Sequence, residues 1–286
     1  MNLLILDCHY LAYRALHTMG HLSHHEVKTG VVFGFLKDVV ALRDDFASDR
    51  LVFCWDVGES RRRKLYPAYK LKRHSKQLTP DEEKAYDEFR VQVKKLRRDY
   101  LPRIGFRNNF WQSGYESDDI IASIAADVQD GDEAVVVTAD RDLYQVLRPN
   151  VMLYNPHQHR LTTLQSFKRE HGISPKQWAR VLAMAGCGSD EVEGIRGVGT
   201  KTALKYLRDE LKQDSRAYAA IKAGRDIVLR NKPLVKLPFE GTRTFELQED
   251  EVTESGWRDV IDELGMRSLG GRAPVSSRKA RATVPA

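Results

Sequence analysis

Three short apolar runs, residues 3–6 (LLIL), 51–55 (LVFCW) and 134–138 (AVVVT), are each followed at once or within a few residues by aspartate: Asp7, Asp56, and Asp140 with Asp142. Each run is too short for a helix and nearly free of polar residues. That is the pattern of a strand buried on both faces of a parallel sheet. Between the runs, residues 30–46 and 120–128 repeat apolar side chains at helical spacing. Strands alternating with helices imply an α/β fold, with a central and mainly parallel sheet flanked by helices. In open sheets of this kind, sites form beyond the carboxyl ends of the strands. Acids far apart in sequence are therefore expected to meet in space.

The chain has 286 residues, 42% of them hydrophobic and 30% charged, enough for one large domain or one domain with a substantial appendage. Mean hydropathy is −0.49, and no apolar run is long enough to cross a membrane as a helix. The opening LLIL run is cut short by Asp7 and has no basic lead-in, so it reads as a strand and not as a signal peptide. A cytoplasmic protein without a membrane partner is the expectation. Cys8, Cys54 and Cys187 are odd in number and widely spaced, which indicates neither a disulfide framework nor a zinc ribbon.

The net charge of +6 is unevenly distributed. Residues 61–76 (RRRKLYPAYKLKRHSK) hold eight Lys/Arg and no acid, and a second basic stretch covers 94–103. Runs of this kind favour polyanions through counterion release, although a solvated loop has the same composition. Thr79-Pro80-Asp81-Glu82 reads as a helix start inside this segment. The whole insertion is too long for a simple connection in a compact domain.

Glu116, Asp118 and Asp119 open the helical pattern at 120–128, and Asp140 and Asp142 follow the third apolar run. Acids in a first helical turn complement the macrodipole, and a loop also supplies such pairs, so each group alone is a weak signal. Folded together with Asp7 and Asp56 they would crowd like charges, raising one another's pKa values unless cations neutralise them. Oxygen-only ligation suits Mg²⁺ or Mn²⁺. Two such ions can clamp the attacking and leaving oxygens of a displacement at phosphorus. The cluster of His17, His21, His24 and His25, and the pair His157 and His159, read instead as polar loops, because no cysteine or acid completes a four-ligand set.

Residues 186–203 (GCGSDEVEGIRGVGTKTA) form the most specific stretch. Gly194, Gly197 and Gly199 permit a tight hairpin with open backbone amides, and a helix from Thr200 adds further free N–H groups. Lys201 and Thr202 can complete a phosphate seat that grips the backbone and reads no bases.

In chain order, DCHYLAYR (7–14), FCWD (53–56), YKLKR (69–73), ESDDIIA (116–122), TADRD (138–142) and the 186–203 hairpin resemble the 5′-nuclease superfamily. That superfamily includes flap endonucleases, phage-type 5′–3′ exonucleases and the 5′-nuclease domain of bacterial DNA polymerase I. The resemblance spans roughly residues 3 to 205. It implies two or more Mg²⁺ or Mn²⁺ ions held by Asp7, Asp56, Glu116, Asp118 and Asp119, with Asp140, Asp142 and Asp190 completing the site. It implies that Lys70 and Arg73 approach the scissile phosphate from the base of a helical arch over about 70–102, with Tyr69 in support. Arg14 falls where the family binds phosphate, and the helix–hairpin–helix with Gly197, Gly199, Lys201 and Thr202 would hold duplex DNA.

The implied partners are DNA with 5′ ends or flaps and RNA–DNA primer junctions, and a monomer is expected. One departure stands out: the family usually carries aspartate directly after the glycine matching Gly186, where this chain has Cys187. A neutral thiol does not favour Mg²⁺. The expected division is a nuclease core over 1–170, a helical DNA-binding region over 171–265, and a basic, disordered tail over 266–286. Two other readings stay open: a catalytically weak or inactive branched-DNA-binding protein of the same fold, and a PIN-type ribonuclease. The arch segment and the hairpin weigh against the latter.

Overall fold

The apolar run at 3–6 lies inside strand β1 (Asn2–Asp7), and its side chains alternate between two cores. Leu3 and Ile5 enter one, Leu4 and Leu6 the other, as the two-residue period of a strand requires. Strands β2 (Arg50–Trp55) and β4 (Glu133–Val137) behave alike: Val52, Cys54, Ala134 and Val136 face the first core, and Leu51, Phe53, Trp55, Val135 and Val137 the second. Both faces being covered explains why these runs carry no polar alternation. The computed structural model of the protein describes residues 1–72 and 77–274.

With β3 (Asn109–Trp111), β5 (Val151–Asn155) and β6 (Arg160–Thr162), these strands form a six-stranded sheet of order β3-β2-β1-β4-β5-β6. All neighbours pair in parallel except β5 and β6. The α/β expectation, a mainly parallel sheet flanked by helices, therefore holds.

The second core packs α1 (Cys8–Met19) and α2 (Gly30–Asp45) against the sheet. The two helices touch closely at Gly34, where an added Cβ would stand 2.7 Å from the Cβ of Ala15. The basic insertion folds as α3 (Pro80–Lys95), which begins with the expected cap: Thr79 Oγ1 accepts from Glu82 N, and Glu82 Oε2 accepts from Thr79 N. The helix runs on through a π-turn at Leu96–Tyr100 and the turn Leu101–Ile104, and ends at Gly105 with φ +105°. Its described residues up to Glu88 are exposed or half-buried. From Phe89 on it is docked. Phe89 stacks on Tyr13 at 4.4 Å, and Gln92 Oε1 accepts from the free amides of Val31 and Val32 at the start of α2.

The first core lies under α4 (Ser117–Asp127), with α5 (Leu164–His171), α6 (Trp178–Ala185), α7 (Thr200–Leu207), α8 (Arg216–Ala223) and α9 (Arg225–Val235) closing it. The chain then runs back along β3. Asn108 exchanges hydrogen bonds with Gln248, Arg107 N donates to Asp250, and Glu251 N donates to Gly105 O. This strap covers the exposed sheet edge without pairing as a strand. Helix α10 (Glu254–Glu263) then enters the second core through Trp257, Val260 and Ile261. Side chains of 171–265 thus reach both cores. Residues 266–274 depart from the expected disordered tail: Met266 and Leu269 are 4% and 2% exposed, and the Trp257 indole donates to Leu269 O. Their apolar side chains anchor them; residues 275–286 lie outside the described residues.

Candidate active site

Asp7 ends β1, Asp56 follows β2, and Asp140 lies three residues beyond β4; these three strands are sheet neighbours. Parallel order alone therefore brings the acids to one rim. Helix α4 starts at the same rim, with Glu116 as its N-cap and Asp118 and Asp119 in its first turn.

A hydroxyl on each side ties Asp7 in place. Thr138 Oγ1 donates to its Oδ2 at 3.0 Å, and Ser117 Oγ donates to its Oδ1 at 3.3 Å. Thr138 Oγ1 also accepts from Asp140 N, so one threonine joins two acids. Ser117 likewise joins Asp7 to Asp56, whose Oδ1 accepts Ser117 N at 2.7 Å. Asp56 Oδ2 lies 3.1 Å from His9 Nδ1, and the His9 ring stands edge-on to Trp55.

Electrostatics bind the group into one unit. Burial, then Asp56 and Asp140, push the Asp7 carboxyl up to about 7. Burial, then Asp140 and Asp7, push Asp118 well above the usual carboxylate range. Burial, then Asp140 and Asp190, raise Asp142 to about 8. Asp56 goes the other way: burial acts to raise it, but His9, the Ser117 amide and Lys70 together hold it below its usual value.

The segment before α3 supplies the counterweight. Lys70, at φ +53°, donates its backbone N–H to Asp190 O, and its ammonium lies 2.8 Å from Glu116 Oε1 and 3.8 Å from Asp190 Oδ1. The Tyr69 hydroxyl lies 2.9 Å from Glu116 Oε2 and 3.2 Å from Asp190 Oδ2. Burial and then Glu116 raise its pKa, so it remains a proton donor between the two acids. Arg73 lies outside the described residues.

Asp119 does not join the other acids as a free ligand. It is fully buried, and Arg62 grips it with two bonds of 2.7 Å. Its oxygens also accept from Glu116 N and Phe239 N, so all its hydrogen-bonding capacity is used inside the protein. Arg62 itself is 2% exposed and reaches Glu116 Oε2 and Leu234 O as well. Burial would lower its pKa, but Asp119 and Glu116 keep it charged. Sequence reading missed Arg62, which sits in an RRRK run like any solvated arginine. Ser117, Thr138 and His9 were missed too, although the first two lie within the quoted acidic motifs.

Asp142 and Asp190 come together beside Cys187: one donor atom from each lies within 4.8 Å of the other two. The donor set across the rim is therefore mostly carboxylate oxygen, which suits divalent cations. The Lys70 ammonium already stands in for a cation there, neutralising Glu116 and Asp190 and acting on Asp56, Asp118 and Asp142.

Helices α6 and α7 flank the loop at 186–199. Gly197, Gly199, Thr200 and Lys201 are exposed, Thr202 is half-buried, and a Cβ at either glycine would meet open space. Gly199 caps α7 without a side-chain bond, leaving the first amides of that helix unclaimed by a cap. Arg14 is half-buried and paired with Asp38 at 2.8 Å.

The family described as "5'-3' exonuclease, N-terminal resolvase-like domain" matches residues 2–172. A 5'-3' exonuclease of Bacillus subtilis is 30% identical over 220 residues, covering 73% of this chain and 70% of its own. The thermostable DNA polymerase I of Thermus thermophilus is 33% identical over 211 residues, again 73% of this chain but 24% of its own length. The chain thus spans about a quarter of the polymerases it matches. Among solved structures, T5 5'-exonuclease with bound divalent metal ions (zinc) superposes with a TM-score of 0.71 at 22% identity, covering 83% of this chain and 90% of that one. The catalytic core of Rad2 in complex with DNA substrate gives 0.56 at 13% identity, over 92% and 86%. Fold and sequence agree: the chain belongs to the 5′-3′ exonuclease family.

Proposed function

We propose that the protein is a divalent-metal-dependent 5′–3′ exonuclease and 5′ flap endonuclease that hydrolyses DNA phosphodiesters. The observation that carries this reading is the convergence of Asp7, Asp56, Asp140 and Asp142, from the ends of neighbouring strands, with Glu116, Asp118 and Asp190. So many carboxylates crowded at one rim, Asp7 among them buried, carry a standing electrostatic cost that cations relieve. Two or more Mg²⁺ or Mn²⁺ ions, when bound, would offset the charge of acids and phosphodiester and lower the pKa of water. Asp7, Asp56, Glu116, Asp118, Asp140, Asp142 and Asp190 would hold them.

The chain's own residues do the rest. Thr138 and Ser117 fix Asp7, and His9 and the Ser117 amide fix Asp56, so the acids are oriented before substrate arrives. Tyr69 holds Glu116 and Asp190 at a set separation. Lys70, with Arg73, would stabilise negative charge on the phosphate, and the exposed start of α3 would border the path of a single 5′ strand. The open amides near Gly197 and Gly199, with Lys201 and Thr202, would seat the backbone of the duplex, independent of base sequence. Arg14 would add a phosphate contact once released from Asp38. The T5 and Rad2 relatives with metal ions or DNA support this assignment. DNA flaps and 5′ ends, and RNA–DNA primer junctions met in replication or repair, are the proposed substrates, with the protein acting as a monomer. No helix among the described residues is long and apolar enough to cross a membrane.

Asp118→Ala or Asp140→Ala should abolish cleavage while leaving DNA binding intact, read by electrophoresis of labelled substrate beside a binding titration in Ca²⁺. Loss of binding with loss of folding would mean that these acids are structural.

A further inference from the structure

We propose that Cys187 makes the Asp142–Cys187–Asp190 corner of the site a position for a thiophilic divalent ion, bound through sulfur in preference to Mg²⁺. The inference rests on the metal-dependent reading above and deepens it. Three donor atoms, two carboxylate oxygens and one sulfur, lie within 4.8 Å of one another, a spread that a single ion can span. Mg²⁺ demands near-octahedral oxygen ligation. Zn²⁺ and Co²⁺ accept thiolate, and three protein ligands with one open position is a familiar arrangement for Zn²⁺.

The sulfur is not loosely placed. Cys187 pairs with Val192 across a two-residue antiparallel ribbon, and Gly186 pairs with Glu193. Gly186 sits at φ +77°, where an added Cβ would come 2.4 Å from Gly194 N, so the two backbones are in close contact. The turn Gly188–Asp190 and the left-handed Glu191 bring Asp190 back beside the thiol. Asp190 is itself held from the other side by Lys70 N and Tyr69 Oη. The Sγ lies 3.0 Å from Ser189 Oγ, its hydrogen-bond partner in this turn. Binding would break the S–H bond, form a metal–sulfur bond and release that proton to solvent.

The same corner shows that a cation is accommodated. The Lys70 ammonium comes within 3.8 Å of Asp190 and acts electrostatically on Asp142. Cys8 and Cys54 are fully buried, which leaves Cys187 as the one cysteine with solvent access. A sulfur signature is therefore assignable.

The test uses the full chain with Co²⁺ alone as probe, followed by absorption in the near-ultraviolet for the sulfur-to-cobalt band, with thermal shift in Mg²⁺, Mn²⁺ and Co²⁺ alongside. Iodoacetamide labelling of Cys187, with and without each ion, gives a second readout. Expected are a sulfur–cobalt band in the native chain, its loss in Cys187→Ser and Cys187→Asp, and protection from alkylation by Co²⁺ or Zn²⁺ but not by Mg²⁺. In Cys187→Asp the Mg²⁺-induced thermal shift should grow, since the corner becomes all oxygen. A thermal shift with Co²⁺ but no band, or a band that survives in Cys187→Ser, overturns the inference alone. No thermal shift with any divalent ion overturns both it and the metal-dependent reading.

Discussion

Replacing Arg62 by Met separates a structural anchor from a catalytic one. The guanidinium makes two 2.7 Å bonds to Asp119, a third contact to Glu116 and one to Leu234 O, all at 2% exposure. Arg62→Met leaves the Asp119 carboxylate buried with no countercharge, which costs about 3–5 kcal/mol. At roughly 3 °C per kcal/mol for a chain of this size, Tm should fall by about 10 °C. Adding Asp119→Asn removes the orphaned charge. The double variant should then be more stable than the sum of the two single losses by about 2 kcal/mol, the signature of a direct pair. Circular-dichroism melts in EDTA keep cation binding out of the comparison. Single losses that simply add, within about 0.5 kcal/mol, would refute the claim that Arg62 and Asp119 form a directly coupled buried pair.

Two further outcomes are expected. Asp7 and Asp142 have folded pKa values of about 7 and about 8 against 3.8 unfolded, so between pH 4 and 8 the folded state binds more protons than the unfolded one. Without metal, stability should therefore fall as pH rises through that window, by about 4 kcal/mol for Asp7 alone. Mn²⁺ should restore it at pH 8 and do little at pH 5; melts in EDTA and Mn²⁺ at both pH values check this, and metal-free stability that rises from pH 5 to 8 would contradict it. Lys201→Ala should weaken binding equally for all sequences and lower the salt slope by about 1, measured by fluorescence anisotropy against salt concentration. A loss confined to certain sequences would argue against a phosphate contact.

How much of this was legible in the sequence varied with the physics behind each feature. The strands at 2–7, 50–55 and 133–137 were readable because a strand buried on both faces has no polar alternation. Their order could not be read, because the pairing β2-β1-β4 is a long-range choice, yet the aspartates at their ends pointed to a common rim whatever the order. The start of α3 was announced by its own capping residues, Thr79 and Glu82. Its docking was not, because Phe89 and Gln92 meet partners far along the chain, Tyr13 and the amides of Val31 and Val32. Asp119 was grouped with the other acids by spacing alone. Adjacent residues on a helix do not share a face, so Asp119 turns inward where Asp118 meets Asp7 and Asp140, and its true partner, Arg62, was hidden in a basic run. The strap past β3 bonds through side chains and isolated amides, which leave no periodic trace. Met266 and Leu269 were overlooked because small and basic neighbours dilute two buried apolar residues.

The central claim, a metal-dependent 5′ nuclease, is met most directly by incubating a 5′-labelled flap duplex and a matched 3′-flap duplex with the protein in Mg²⁺, Mn²⁺ or EDTA. Short products are expected from the 5′ flap alone, formed with either metal and abolished by EDTA. Intact substrate under every metal condition, together with tight and salt-sensitive binding, would contradict it and leave a DNA-binding scaffold of nuclease fold.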